Sequence, residues 1–207
     1  MMKTLETESL VLRKFTLDDF AAVHSYASCA ENLIYMFWGP NSEEQTLHFI
    51  SGAIKEAEDE KQDKDYQYAI TLKTGELIGG CDIFIKGNEA TVGWCLHRDY
   101  WKRGYGTELA RALLRFGFDD LHLHRIAAHC DAENIGSYRV MENNGMRREG
   151  LFFDTRPPHK LSDRKNGDEL IYAILKDEWE AGKEIAYYKT LPCVFDDFIK
   201  CRNYRTA

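Results

Sequence analysis

The chain lacks the cysteine spacings and the long apolar runs that are typical of disulfide-bonded or membrane proteins. None of its six cysteines forms a C-x-x-C pair with another. Cys81, Cys95 and Cys130 lie within apolar strand-like segments, where a reduced thiol behaves as a small hydrophobic group. No stretch approaches about 18 uninterrupted apolar residues, and the N-terminal region lacks the apolar core of a signal peptide. We therefore expect a cytoplasmic protein with no membrane partner.

An excess of positive charge is also missing. Asp and Glu outnumber Lys and Arg by 34 to 27, which gives a formal net charge of −7. A general nucleic-acid binder depends on cations that neutralise phosphates, so we expect no nucleic-acid partner. An anionic ligand must then be held by local positive charge, while the acidic surface could attract a basic protein or a polyamine.

A recognisable metal-ligand spacing is a further absence. His122, His124 and His129 include an H-x-H pair, but no acidic or cysteine residue stands near them at a ligand spacing. Solvated or packed histidines are the simpler interpretation. We expect no metal.

The apolar content is sufficient to bury the core of one domain, at 44% hydrophobic and 13% aromatic residues. We assign a domain to residues 1–180 and an extension to residues 181–207. The extension contains an aromatic-rich helical pattern and should pack on the domain or on a partner. A monomer and a homodimer both remain open.

The periodicity of the apolar residues predicts the first elements. Residues 9–13 alternate like a strand, and Thr16 to Asp19 resembles a capping box that opens a helix reaching about residue 30. The residues expected to face the core from this helix are Leu17, Phe20, Ala21 and Tyr26. A second helix is expected from Ser42 into the charged stretch 55–65.

The rest of the chain divides into two kinds of pattern. Strands at 68–72, 77–85 and 90–96 are separated by the turn dipeptides Thr74-Gly75 and Gly87-Asn88, which predict hairpins. The elements expected after them are a helix ending near Asp120, a strand at 124–130, a helix at 135–144 between Asn134 and Gly145, and strands near 146–155 and 168–175. This order predicts an α+β fold with a mixed, mostly antiparallel sheet flanked by helices.

One segment between a strand and a helix carries an anion-binding pattern. Gly104 and Gly106 leave backbone N–H groups uncovered at the start of a helix, where the dipole favours anions, and Lys102 and Arg103 add positive charge. An ordinary basic turn is the alternative. Two common nucleotide motifs do not fit, because Leu109 replaces the third glycine of a dinucleotide fingerprint and no G-x-x-x-x-G-K-[ST] run occurs. We predict a phosphate-binding loop of another kind.

A second segment, Asn134 to Gly150, reads NIGSYRVMENNGMRREG. Together the two segments resemble the acetyl-CoA loop and the N-x-x-S…E-x-x-G-[FM]…E-G segment of the GNAT superfamily, in its RimJ/RimL branch. Leu10 to Thr16, the Gly93-Trp94 strand before Tyr100-Trp101, and the closing stretch Asp168 to Trp179 are similar to that branch as well. The resemblance implies the GNAT fold, with the cofactor at the splayed central strands.

The resemblance spans about residues 5–180 and implies transfer of an acetyl group from acetyl-CoA to a primary amine, by direct attack and without a metal. The pantetheine would lie along the splayed strand, whose backbone can polarise the thioester, and the diphosphate would lie on the glycine loop. The residues so implied for the cofactor are Trp94, Cys95, Leu96, His97, Lys102, Arg103, Gly104, Tyr105, Gly106, Thr107, Asn134 and Ser137. Two positions depart from many members of the superfamily. Trp101 replaces a Gln or Arg, and Met141 replaces a Tyr that acts as general acid.

Catalytic roles follow less completely from the resemblance. The branch implies that Ser137 donates a proton to the departing thiolate, and the alternative is a first-turn hydroxyl that bonds the backbone. Arg156 stands where some relatives have a carboxylate base, so we consider Asp154, expected on the same strand face, and Glu89 as candidate bases. The rivals for that role are Asp82 and His97.

The acceptor is suggested by the missing base. An α-amino group with a pKa near about 8 is roughly a tenth neutral at pH 7, whereas a lysine side chain is neutral in less than about one part in a thousand. This difference favours a protein N-terminal α-amine, with a small amine such as a polyamine or an antibiotic as the other class. A catalytically silent acyl-CoA-binding sensor is the alternative function, because Met141 and Arg156 replace the expected acid and base.

Overall fold

A computed structural model describes residues 2–59, 65–157 and 166–181. Its centre is an eight-stranded sheet in the order β1-β2-β3-β4-β5-β6-β8-β7. The strands are β1 Leu5–Glu6, β2 Leu10–Arg13, β3 Tyr66–Leu72, β4 Leu77–Lys86, β5 Glu89–Leu96, β6 Arg125–Asp131, β7 Arg147–Arg156 and β8 Gly167–Leu175. Among these described strands, β5 and β6 pair in parallel and the other neighbouring pairs are antiparallel. The predicted mixed, mostly antiparallel sheet is confirmed.

Helices cover both faces of this sheet. They are α1 Phe20–Ala27, α2 Ala30–Leu33, α3 Glu43–Glu58, α4 Tyr105–Arg115, α5 Ile135–Asn143 and α6 Lys176–Glu180. The helices α1 and α3 pack through Val23, Tyr26 and Ile50 against one face. The helices α4 and α5 pack through residues such as Leu113 and Met141 against the other. The alternation of side chains along each strand thus separates two apolar cores.

The predicted hairpins form at their turn dipeptides. The strands β4 and β5 are joined by Gly87-Asn88, and their register runs from Lys86 opposite Glu89 to Gly79 opposite Leu96. Gly87 has φ +64, a value that an L side chain rarely adopts. The two-residue connection fixes the register, and with it the side chains that meet across β4 and β5.

The first helix differs in its buried face from the prediction. The capping box between Thr16 and Asp19 forms, but it opens a 3-10 turn over Leu17–Asp19 before α1 begins. Leu17 is 59% exposed and Ala21 is also exposed. Because a 3-10 turn advances three residues per turn instead of 3.6, it rotates the face expected from a continuous α-helix. The buried residues of α1 are Val23, Tyr26 and Ala27.

The crossover elements follow the predicted order. The helix α4 continues into a π-helical turn over Phe116–Asp120, which brings the helical segment to the predicted end. Asn134 caps α5 through its side chain. The extension proposed for residues 181–207 lies outside the described residues except for Ala181. In the described ranges, no helix combines the length and apolarity needed to span a bilayer.

Candidate active site

A gap opens in the sheet between β5 and β6. The two strands pair from Glu89 opposite Arg125 to Val92 opposite Ala128, and their pairing ends there. Beyond Val92, β5 continues along β4 while β6 continues along β8 as far as Asp131. The two strands therefore splay apart around Trp94, and among the described residues no strand pairs with the edges that face this gap.

The hydrogen-bonding pattern shows which backbone groups of β5 face the gap. The amide of His97 donates to the carbonyl of Ile78 at 2.8 Å, so the odd-numbered residues of β5 bond to β4. The N–H and C=O of Trp94 and the N–H of Leu96 must then point toward the gap. The Leu96 carbonyl accepts from the Asn32 side chain and from the Trp101 indole, each at 2.8 Å. The backbone at Trp94 is the open part of this edge.

A cavity of about 610 Å³ passes through the sheet at the gap. On one face its lining includes Val23 and Tyr26 of α1 and Phe49 of α3. On the other face it includes Ser137 and Met141 of α5. The cavity therefore connects the face that carries α4 and α5 with the face that carries α1 and α3. A ligand that enters from one face can meet a second ligand that lies on the other.

The loop before α4 has the geometry of an anion site. Lys102 has φ +60 and Gly104 has φ +88, and α4 begins one residue later. Within the described part of the chain, the backbone amides of residues 102–107 have no hydrogen-bond partner, as expected where a helix begins. Lys102 and Arg103 are exposed beside these amides. The loop is held to the end of β5 because the Trp101 indole bonds the Leu96 carbonyl.

Glycine is favoured at two positions of this loop for different structural reasons. A Cβ on Gly104 would meet nothing within 4 Å, so the left-handed backbone conformation is what favours glycine there. A Cβ on Gly106 would lie 3.0 Å from Cγ2 of Val140 in α5. Gly106 thus allows α4 to pack closely against α5. Asn144, at the end of α5, fixes the same contact by donating to the Thr107 carbonyl at 3.1 Å.

The start of α5 lies at the wall of the cavity. The Asn134 side chain accepts a hydrogen bond from the Ser137 amide at 3.1 Å. Ser137 is partly buried, and both residues line the cavity. The Ser137 hydroxyl is hydrogen-bonded to the thiol of Cys130 in β6. Burial raises the pKa of this thiol to about 12, although the hydrogen bond from Ser137 opposes the change. Ser137 therefore lies in the wall of the cavity beside a buried thiol.

Asp82 is a carboxylate in the cavity wall whose acidity the surrounding sheet changes. Its neighbours across the sheet are Gln67 on β3 and Gly93 on β5. Burial and the nearby charge of Asp65 raise the pKa of Asp82 to about 6, although the Gly93 amide donates to the carboxylate and opposes this change. A Cβ on Gly93 would lie 2.8 Å from Oδ1 of Asp82, so the glycine leaves room for the carboxylate. A carboxylate with this pKa suits proton transfer near neutral pH.

The other candidate bases lie elsewhere. Glu89 is at the opposite end of β5 from the gap, is exposed, and pairs with Arg125 at 3.3 Å. Asp154 is exposed with φ +55, and its amide donates to Asp168 at 3.1 Å. The expectation that Asp154 shares a strand face with Arg156 is wrong, because a register shift between Phe152 and Arg156 breaks the alternation. Arg156 lines the cavity, whereas Asp154 is not among its lining residues.

His97 also lies outside the cavity lining. Its Nδ1 accepts from the Asp99 amide at 3.2 Å, which caps a short 3-10 turn. His129 does line the cavity, and its Nδ1 lies 3.6 Å from a carboxylate oxygen of Glu169. Within the described ranges, no three His, Cys, Asp or Glu side chains are grouped in a way that could hold a metal ion.

Sequence reasoning missed the role of a segment between α2 and α3. Tyr35, Met36, Phe37 and Trp38 all line the cavity. The buried guanidinium of Arg156 donates to the Tyr35 carbonyl at 3.0 Å, so a residue of β7 holds this segment in place. The run of aromatic residues in YMFW was the available signal, but it carries no helical or strand periodicity.

Similarity to known proteins extends over most of the chain. A family model described as an acetyltransferase (GNAT) domain matches residues 9–147. The uncharacterized N-acetyltransferase YnaD of Bacillus subtilis (strain 168) is 34% identical over 178 residues, covering 84% of this chain and 98% of that protein. The uncharacterized N-acetyltransferase p20 of Bacillus licheniformis is 29% identical over 181 residues, covering 86% and 99%.

Solved structures share the fold. The crystal structure of a GNAT-family acetyltransferase from Bacillus anthracis superposes with a TM-score of 0.74 at 34% identity, covering 85% of this chain and 100% of that one. RimL, a ribosomal L7/L12 alpha-N-protein acetyltransferase in complex with coenzyme A, gives a TM-score of 0.71 at 18% identity, covering 84% and 98%. The likeness to RimL extends to the fold alone.

Proposed function

The chain belongs to the GNAT acetyltransferase family, and from that premise we propose that it transfers the acetyl group of acetyl-CoA to a primary amine by direct attack on the thioester. The observation that carries this proposal is the cavity through the sheet, which has the ionisable Asp82 in its wall and lies at the end of β5 to which the loop before α4 is bonded.

The residues of the gap fit acetyl-CoA, which supplies the activated acetyl group when it is bound. The amides of residues 102–107 and the N-terminus of α4 would hold the diphosphate, with Lys102 and Arg103 adding positive charge. The open backbone edge at Trp94 would bind the pantetheine amides, and its N–H would polarise the thioester carbonyl. Asn134 and Ser137 line the cavity on the same side as this path.

We assign the base to Asp82 and the acid to Ser137. With a pKa of about 6, Asp82 is ionised at neutral pH and can accept a proton from the acceptor ammonium. The amine nitrogen then bonds to the thioester carbonyl carbon and the carbon–sulfur bond breaks. The Ser137 hydroxyl donates its proton to the departing sulfur, and the second proton that the nitrogen loses as it becomes an amide nitrogen returns to Ser137 through solvent.

The assignment of Asp82 changes the argument about the acceptor. The sequence favoured a protein N-terminal α-amine because no base was evident, and a base in the cavity removes that reason. Amines of higher pKa, including small amines, then become possible acceptors as well. A carboxylate poised in the cavity also favours an enzyme over a silent acyl-CoA sensor. Membership of the RimJ/RimL branch, a cytoplasmic location and the choice between monomer and homodimer stay predictions.

The test mixes purified protein with acetyl-CoA and a panel of amines while free thiol release is followed. The panel contains N-terminal peptides, polyamines, aminoglycosides and arylalkylamines. We expect amine-dependent release that falls strongly in Asp82→Asn and is unchanged in Glu89→Gln, a matched carboxylate outside the cavity. Tight binding of acetyl-CoA without release for any amine would favour the sensor. Equal loss in both variants would remove Asp82 from its assigned role.

A further inference from the structure

Three phenylalanine rings at the cavity are left in contact with solvent. Phe37 is 71% exposed, Phe84 is 45% exposed and Phe49 is 38% exposed, and all three line the cavity. They come from the segment after α2, from β4 and from α3, so three separate parts of the chain present an aromatic face to one space. Exposed apolar surface that converges on a cavity is typical of a surface that a ligand covers.

The aromatic segment at Tyr35 to Trp38 is fixed in position. Arg156 donates to the Tyr35 carbonyl at 3.0 Å, and its guanidinium carbon lies 5.7 Å from the centre of the Phe37 ring. The same guanidinium lies 3.2 Å from a carboxylate oxygen of Glu169 on β8. Because a planar guanidinium can bond several acceptors at once, Arg156 connects this segment to the sheet. The aromatic wall that Phe37 forms with Phe49 and Phe84 is therefore in place before an acceptor binds.

The charges around the cavity select against one kind of amine. Its carboxylates are Asp82, Asp131 and Glu169, and its only Arg or Lys in the described lining is Arg156. The Arg156 guanidinium already bonds Glu169 and Tyr35 and lies 3.7 Å from Asp131. A carboxylate on the acceptor would therefore meet the negative charge of these side chains. Arg156, which could otherwise pair with it, is already bonded to Glu169 and Tyr35. A cationic amine would meet opposite charge.

We infer that the acceptor is a primary amine carried on a flat apolar body with no carboxylate beside the amine. This inference rests on the proposed function and names its acceptor class. The ammonium lies toward Asp82, and the apolar body lies against Phe37, Phe49 and Phe84. Aromatic rings stack on one another and attract cations over their faces, so this wall suits an arylalkylamine.

The first test compares 2-phenylethylamine with three probes that each depart from the inferred acceptor in one feature. Phenylalanine adds a carboxylate beside the amine, and putrescine lacks the flat apolar body. A short peptide with a free N-terminus adds a peptide chain beside the amine. We expect kcat/KM for 2-phenylethylamine to exceed that of each probe by at least about tenfold. An equal or higher value for any of the three overturns the inference while leaving acetyl transfer intact. Thiol release with none of the amines would instead contradict the proposed function.

The second test changes the wall. Phe37→Ala should raise KM for 2-phenylethylamine about tenfold, because it removes one exposed ring from the binding surface. The KM for acetyl-CoA and the unfolding temperature should not change. Phe152→Ala is the matched control, since Phe152 is 48% exposed but is not among the cavity-lining residues. Equal KM values for the amine in the Phe37 and Phe152 variants would overturn the inference.

Arg156→Lys tests whether the segment must be held. Lysine keeps the charge but cannot bond Tyr35 and Glu169 with one planar group. We expect a higher KM for the amine, an unchanged KM for acetyl-CoA and a folded protein by circular dichroism. If KM for the amine stays at the wild-type value in the folded variant, Arg156 does not position the wall.

Discussion

Replacing Asp82 by Asn should lower activity and raise stability at the same time. The pKa of Asp82 is raised from 3.8 to about 6 by burial and by Asp65. Because the folded pKa lies above the unfolded one, the native state holds a proton more tightly, and stability falls as pH rises from about 4 to about 6. Each pKa unit corresponds to about 1.4 kcal/mol, so the ionised carboxylate costs up to about 3 kcal/mol above pH 6. Asparagine is neutral at every pH and avoids this cost.

Two assays measure the opposite effects. Thermal unfolding at pH 7.5 should show a higher Tm for Asp82→Asn, by about 2–4 °C for each kcal/mol in a domain of this size. The difference should shrink as the pH falls and should vanish below about pH 3, where Asp82 is protonated in both states. The kcat/KM of the wild type should rise with pH through an apparent pKa near 6. The kcat/KM of the variant should be about a hundredfold lower and should not show this rise. A variant that is less stable at pH 7.5, or that retains wild-type activity, would refute the reasoning.

Four further changes test the neighbouring residues. Asp65→Asn removes a like charge, so the rising limb assigned to Asp82 should move to lower pH in the profile of kcat/KM. Ser137→Ala should lower kcat about tenfold or more with unchanged acetyl-CoA affinity, and unchanged turnover would exclude Ser137 as the acid. Gly104→Val should abolish acetyl-CoA binding in calorimetry, because φ +88 is strained for a β-branched residue. Trp101→Phe loses the hydrogen bond to the Leu96 carbonyl, and we expect weaker acetyl-CoA binding with unchanged amine KM.

The sheet could be predicted from the sequence because its signals are local. Alternation along β3, β4 and β5 and the turn at Gly87-Asn88 each involve residues close together in the chain, and these predictions are confirmed. Of the residues expected to face the core from the first helix, Phe20 and Tyr26 do so, whereas the prediction for Leu17 and Ala21 was wrong because a 3-10 turn at Leu17 changes the period. The face of Asp154 was predicted wrongly because the register of β7 shifts. Both errors arise where a regular period was extended across an irregular turn or strand.

The chemistry of Asp82 could not be predicted in the same way. Its acidity depends on Asp65, which precedes β3, and on Gly93 of β5, and only the pairing of the strands brings these residues together. Sequence reasoning could place Asp82 on a central strand but could not give its burial. The role of Arg156 is hidden for the same reason, because its partner Tyr35 lies 121 residues earlier in the chain.

Small residues in β4 and β5 explain why an ionisable group and an open backbone edge can share one gap. A Cβ on Gly80 would lie 3.0 Å from the Tyr26 hydroxyl, and a Cβ on Gly93 would lie 2.8 Å from Asp82. Larger side chains at these positions would fill the space on the α1 face and displace the carboxylate. Glycine in a strand interior weakens the strand, so these positions carry a cost in stability. That cost and the raised pKa of Asp82 arise in the same part of the sheet. The lower stability there accompanies the open space of the gap and a carboxylate that can accept a proton near neutral pH.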